Sequence, residues 1–160
     1  MIEFKSPGAF ALHLTKLAAA QPAVDEHVTK SMAEEVRATA AGMIGIYQDA
    51  VGPYPKWEEL ADSTEKEKQR LGYPLEAPLY RTGEMKKSIQ ASSDRNKAAV
   101  GSTDQKMVYH ELGTLHIPPR PVFGPAAIHS APRVRKIAAR TVYAWLCGIG
   151  WRRPKKNIIG

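Results

Sequence analysis

The stretch Leu79 to Pro125, LYRTGEMKKSIQASSDRNKAAVGSTDQKMVYHELGTLHIPPRPVFGP, decides the fold, and it divides into three parts with different physics. Thr82 precedes a short helical run in which Leu79, Met85 and Ile89 can share a face, with Thr82 as the N-cap candidate. A β-hairpin follows: Ser88 to Ser92, a polar turn over Ser93 to Lys97, then Ala98 to Ser102. Lys106 to Leu112 predicts a single helical turn with Gly113 as its C-cap. Beyond it, Pro118-Pro119-Arg120-Pro121 is rigid, and the missing N–H groups and fixed φ angles forbid a helix through it.

Upstream, Ser6-Pro7 pairs a cap residue with proline at the first helical position, and Phe10, Leu14 and Leu17 then share a face. Pro22 restarts the chain. Val24, Val28, Met32, Val36, Met43, Ile44, Tyr47 and Val51 follow helical spacing, predicting a helix of roughly 28 residues ended by Gly52-Pro53. Such a stripe is core or subunit interface rather than a cofactor site. Asp62 and Glu65 have capping-box spacing and open a helix towards Leu71 that stops at Gly72, with Trp57 and Leu60 tucked against the core just before it. Tyr73 to Pro78, with two prolines, reads as an exposed, somewhat mobile connector.

Downstream, Gly124-Pro125 and Ser130 to Pro132 are two successive helix-start signals, so a short turn precedes a closing helix over 132–147. Its apolar side holds Val134, Ile137, Ala138, Thr141, Val142, Trp145 and Leu146, while Arg133, Lys136 and Arg140 form a basic stripe. From Arg133 onward the chain also carries Arg135, Arg152, Arg153, Lys155 and Lys156 and no acid, and residues 148–160 read as a basic tail that orders against a partner. The expected architecture is a single α+β domain over 1–147. Its N-terminal helices cover 7–51, and they and the closing helix pack on a small antiparallel sheet. The sheet holds the hairpin and takes a further strand from Ile117 to Val122.

A chain of 160 residues can bury a core of ordinary size, and its 43% apolar content indicates neither disorder nor a fibre. No apolar run approaches the length of a membrane span. The first residues resemble a secretory leader only superficially, because His13, Thr15 and Lys16 break the apolar part and Glu3 adds an acid. The single Cys147 excludes an internal disulfide framework and fits a reducing compartment. A net charge of +7 favours nucleic acid or acidic protein partners without choosing between them.

Catalytic motifs are not convincing. His110-Glu111 with His116 evokes a zinc hydrolase, which needs two histidines one helical turn apart; the position four after His110 is Thr114, and Gly113 interrupts the turn. The pairs Glu34-Glu35 and Glu58-Glu59 splay apart on a helix, Asp104 lacks a partner, and no glycine-rich phosphate cradle is present. No catalytic, cofactor or metal site is therefore expected. DNA binding competes more seriously, since a basic helix is followed by WRRPKK, in which an aromatic ring can stack on bases. No helix-turn-helix or zinc pattern accompanies it.

The order of pieces from Trp57 to Ala127 resembles a known family. An Arg-Thr-Gly start and amphipathic run ending in Ser-Ile, a Val-Gly strand end, Tyr-x-x-x-Gly-Thr, and Pro-x-Arg-Pro-x-x-Gly-Pro-Ala occur in succession. That order is similar to the phage virion morphogenesis family, the tail-completion and neck proteins of tailed bacteriophages, and WEELADSTEKEKQRLGYPL resembles its lead-in. The resemblance implies a structural, non-enzymatic virion protein at the head–tail junction, assembled in the bacterial cytoplasm. It would act as tail terminator, tail-completion or head-closure protein. Its implied partners are copies of itself in a hexameric or dodecameric ring, the adjoining neck and tail proteins, and the packaged DNA in the lumen, with no membrane. Ring closure requires heterologous contacts. The hairpin and the Gly113 to Phe123 loop are expected to supply them, through Arg81, Thr82, Tyr109, Glu111, Thr114, Arg120, Pro121 and Phe123. Arg133, Lys136, Arg140, Arg152, Arg153, Lys155 and Lys156 are candidate contacts to DNA or an acidic partner.

Overall fold

The structure is a computed structural model and describes residues 3–148. Two long helices, α1 (Pro7–Met43) and α5 (Phe123–Cys147), pack along one another, and the hairpin of β1 (Ile89–Ser93) and β2 (Ala98–Ser102) lies against α1. Three shorter helices, α2 (Asp62–Leu71), α3 (Glu84–Lys87) and α4 (Lys106–Leu112), fill the connections. The fold is α+β, with a two-stranded antiparallel sheet packed with the N- and C-terminal helices.

Ser6 caps α1 as its sequence implies: its Oγ accepts from the Ala9 N–H at 3.1 Å, with Pro7 in the first turn. Pro22 does not restart the chain. It sits inside one continuous helix of 37 residues. A proline within a helix orphans the carbonyl four residues back. That carbonyl belongs to Ala18, an exposed residue, so water can satisfy it. The same holds for Pro132 inside α5, whose orphaned carbonyl belongs to Ile128, 39% exposed. In both helices, packing against the other long helix overrides the local break.

The stop of α1 is also earlier than the apolar periodicity suggests. Gly45 adopts φ 96°, a conformation costly for any side chain, and its N–H donates to the Pro78 carbonyl at 2.9 Å. Tyr47 and Val51 thus lie beyond the helix. The Tyr47 hydroxyl accepts from the Leu60 N–H at 3.1 Å, and Val51 forms an isolated antiparallel bridge with Tyr54. The buried line of α1 is made largely of small residues, Ala33, Ala40 and Ala41, together with Val24 and Met43. Small side chains let neighbouring elements approach closely.

The hairpin pairs Ile89 with Ser102 through Ser93 with Ala98, one residue later at its start than expected. Asp94 makes the turn: its Oδ1 accepts from the N–H groups of Asn96 and Lys97, both at 2.8 Å. Residues 117–122 add no strand. Several of their polar groups are engaged by side chains and loops instead. Two cap assignments change. Asp62 is the first residue of α2, after Ala61, and Gly83 rather than Thr82 precedes α3; neither N-terminus has a side-chain cap. Gly72 closes α2 in the left-handed conformation, as expected.

The core gathers Ala40, Ala41, Met43, Ile44, Trp57, Ile89, Met107, Val122 and Ala126, with Leu79 and Met85 packed against it. Trp57 is 1% exposed and its Nε1 donates to the Pro121 carbonyl at 3.1 Å, so one side chain joins the 51–60 segment to the proline loop. Residues 51–54 dock on the start of α5. A side chain at Gly124 would place its Cβ 2.1 Å from the Tyr54 ring, so any residue but glycine requires that ring to move. The basic tail, including Arg152, Arg153, Lys155 and Lys156, lies outside the described residues.

Candidate functional site

A cavity of about 710 Å3 opens between α2, the 77–85 segment, α4 and the proline loop. Its floor is built by a reversal of the chain. After Gly72 the connector folds back on α2, with Glu76 (φ 50°) and Leu79 (φ 62°) in the left-handed region. Glu65 accepts from the Glu76 N–H at 3.2 Å, and Lys68 donates from Nζ to the Ala77 carbonyl at 2.6 Å. Pro74, Leu75 and Glu76 are exposed, whereas Pro78 is fully buried, so the connector is anchored at its end.

The opposite wall comes from α4 and the proline loop. Arg120 donates its backbone N–H to the His110 carbonyl at 2.6 Å. Its guanidinium Nη2 donates to the carbonyls of Glu58 and Glu59 at 3.0 and 3.1 Å. Arg120 therefore cross-links three segments from within. His110 Nδ1 and Arg120 Nε are buried without a partner. Burial pushes the His110 imidazole below its ordinary value, and the nearby Arg120 charge adds to this while Asp104 opposes it. Burial likewise lowers the Lys68 ammonium, against the pull of Glu65, and the Arg120 guanidinium.

Arg81, Thr82 and Arg120, chosen from sequence, are brought together in this cavity lining. Arg81 pairs with Glu67 at 2.9 Å and lies 5.9 Å from the centre of the Tyr73 ring. Arg120 was expected at a subunit contact; at 5% exposure its side chain is turned inward and spent on carbonyls of its own chain. Glu111 is also engaged internally. Its carboxylate accepts from the N–H groups of Val122 and Phe123, at 2.7 and 3.2 Å, placing negative charge at the positive end of α5. Thr114 Oγ1 accepts from the Ile117 N–H at 3.1 Å, and the Thr114 N–H donates to the Ile117 carbonyl at 2.9 Å, closing the loop. Pro121 is buried and Phe123 half-buried.

Tyr109 lies on the outer face, and Arg81, Thr82 and Thr114 are also exposed. Tyr109 is 47% exposed, beside Val108 at 51%, Leu112 at 75% and Leu115 at 99%. These residues make an apolar ridge along α4 and the loop after it. On α5, Arg135, Lys136 and Arg140 are exposed, and Arg133 is paired with Glu35 and donates to Thr39 Oγ1 at 3.0 Å.

Sequence reasoning missed Lys68 and His110 as members of the site. Lys68 lies in EKEKQR, which reads as a solvated face, and nothing local says that the connector folds over it. His110 is legible only as part of a failed zinc motif. Among the described residues no group of three or more His, Cys, Asp or Glu side chains could hold a metal ion, and no helix is long and apolar enough to cross a membrane. Comparison of the chain with known protein families, with curated proteins and with solved structures returns no match.

Proposed function

We propose that this chain is a structural, non-enzymatic virion protein of a tailed phage, a ring subunit at the head–tail junction that completes the tail or joins it to the capsid. The resemblance in the Trp57 to Ala127 order of motifs suggests the role, and one observation supports it best. The block that carries the resemblance leaves Val108, Tyr109, Leu112 and Leu115 in solvent on a braced support. Contiguous exposed apolar side chains mark interaction surfaces. Glu111, Thr114 and Arg120 fix that support, so little chain entropy remains to be lost when a neighbour docks. In this reading the three polar residues act on the interface indirectly, by holding its shape, and Tyr109 touches the neighbour.

Electron microscopy of lysates from a phage with this reading frame deleted tests the proposal. Filled heads lying apart from tails of normal length are expected. Tails of uncontrolled length would move the protein to the tail-terminator position, and intact infectious particles would overturn the neck role. A second reading, a basic DNA-binding accessory protein, is favoured by the exposed Arg135, Lys136 and Arg140 on α5. It requires a complex with generic duplex DNA that weakens steeply as salt rises.

A further inference from the structure

Lys68 and Arg120 are 2% and 5% exposed, and both line the same cavity of about 710 Å3. The ion pairs among the described residues join Arg37 to Glu34, Arg81 to Glu67 and Arg133 to Glu35, and neither buried cation takes part in one. Each is held by backbone carbonyls alone. A buried charge is ordinarily paired, because a neutral acceptor offsets only part of the lost hydration. Glu65 and Glu58 attract these two cations through space without pairing directly with either, so a counter-ion arriving from outside the chain could still make the direct contact that both lack.

We infer that this cavity is a binding site for a carboxylate carried on an apolar body, with Lys68 and Arg120 as its counter-charges. The lining selects that chemistry. Leu60, Tyr73, Leu79, Tyr80, Met85 and Ile117 offer apolar and aromatic surface of the kind that encloses a small ligand. Glu58, Glu59, Glu84 and Asp104 stand around the same cavity and balance Lys68, Arg81, Lys106 and Arg120, so the lining as a whole carries no excess positive charge to hold a polyanion. A single carboxylate on an apolar body therefore fits this lining better than a multiply charged phosphate or a polyanion. The Lys68 ammonium has three N–H donors and spends one on Ala77, so it keeps donors for the ligand. This site does not rest on the virion proposal.

The same chemistry has two sources, a free organic acid or an acidic side chain of a peptide, and the test separates them. The purified full chain is titrated by calorimetry, with nitrogen-15 NMR to locate the site. The probes are 3-phenylpropionate, its neutral amide, and the blocked peptide acetyl-Leu-Glu-Leu-amide. Binding of at least one carboxylate probe is expected, with shifts at the amides of residues 58–61, 77–85 and 116–120. The neutral amide should bind at least about tenfold more weakly, since a charge-assisted hydrogen bond is roughly twice as strong as a neutral one. Lys68→Met should lower carboxylate affinity by about tenfold or more. Which carboxylate probe binds names the source. Equal binding of the acid and its amide would overturn the inference. So would the absence of binding by either carboxylate, or shifts confined to other residues. The comparison of acid with amide uses the unaltered chain and stands even if Lys68→Met fails to fold.

Discussion

The two ends of the helix pair are built on different principles. Around residues 43–57, 107–111 and 120–130, the chain is interlocked by contacts that accept few substitutes: Trp57 to Pro121, Glu111 to the start of α5, Arg120 to the 58–59 carbonyls, and glycine under the Tyr54 ring. At the other end, where α1 begins and α5 finishes, Val24 is buried but Phe10, Leu12, Leu14, Val142, Tyr143 and Leu146 are exposed. The bond from Trp145 Nε1 to the Leu17 carbonyl, 3.2 Å, links the two helices there. One end is specified by shape and polar pairing. The other is held mainly by helix propensity and partial burial, so it should tolerate change.

Urea denaturation of single variants would break or sharpen this contrast. The largest loss is expected for Trp57→Ala, about 4 kcal/mol, because a fully buried indole and its hydrogen bond disappear together. Gly124→Ala should cost about 3 kcal/mol through overlap with the Tyr54 ring. Adding Tyr54→Ala should recover part of that loss; without recovery, the steric account of Gly124 fails. Glu111→Gln keeps the shape but removes the charge at the start of α5, and about 1 kcal/mol should be lost, less at high salt.

A smaller effect depends on pH. His110 is harder to protonate in the folded chain than in the unfolded one, so the unfolded state takes up the proton first as pH falls. Its contribution is complete above about pH 6.5 and declines below it, down through the depressed folded value. His110→Gln should therefore lose less stability than the unaltered chain between about pH 7.5 and about pH 5.5. Equal losses would show that other groups set the acid sensitivity. The smallest effect is expected in the arm: Leu14→Ala should change stability by about 0.5 kcal/mol or less. A loss comparable to that of Trp57→Ala would erase the contrast altogether.

Local chemistry made several elements readable. Asp94 writes the hairpin turn, Ser6-Pro7 starts α1, Gly72 ends α2, and the apolar and polar residues of 106–112 mark α4 with its full bounds. The prolines misled for a physical reason. Their cost depends on whether the orphaned carbonyl meets water or protein, and a sequence does not say which side of the helix Ala18 or Ile128 occupies. The end of α1 was hidden because Met43, Ile44 and Tyr47 keep helical spacing although Gly45 has already turned the chain. The cavity was not legible, because the sequence points to Arg81, Thr82 and Arg120 as subunit contacts and not as the lining of one cavity. Their meeting with Lys68 depends on a connector reversal that passes through two non-glycine residues of positive φ.

The bond from Trp145 to Leu17 spans 128 positions, and the pairing of Arg133 with Glu35 spans 98. Both couple the first element to the last described one. On a ribosome, α1 emerges long before α5 exists, and the part of its surface that the hairpin does not cover waits exposed until α5 is made. Contacts so distant in sequence form late and slow the final step. The exposed apolar surface of the waiting chain is a hazard at high expression. The helix that looks most self-sufficient in this fold is the one that depends on the last of the described elements to be made.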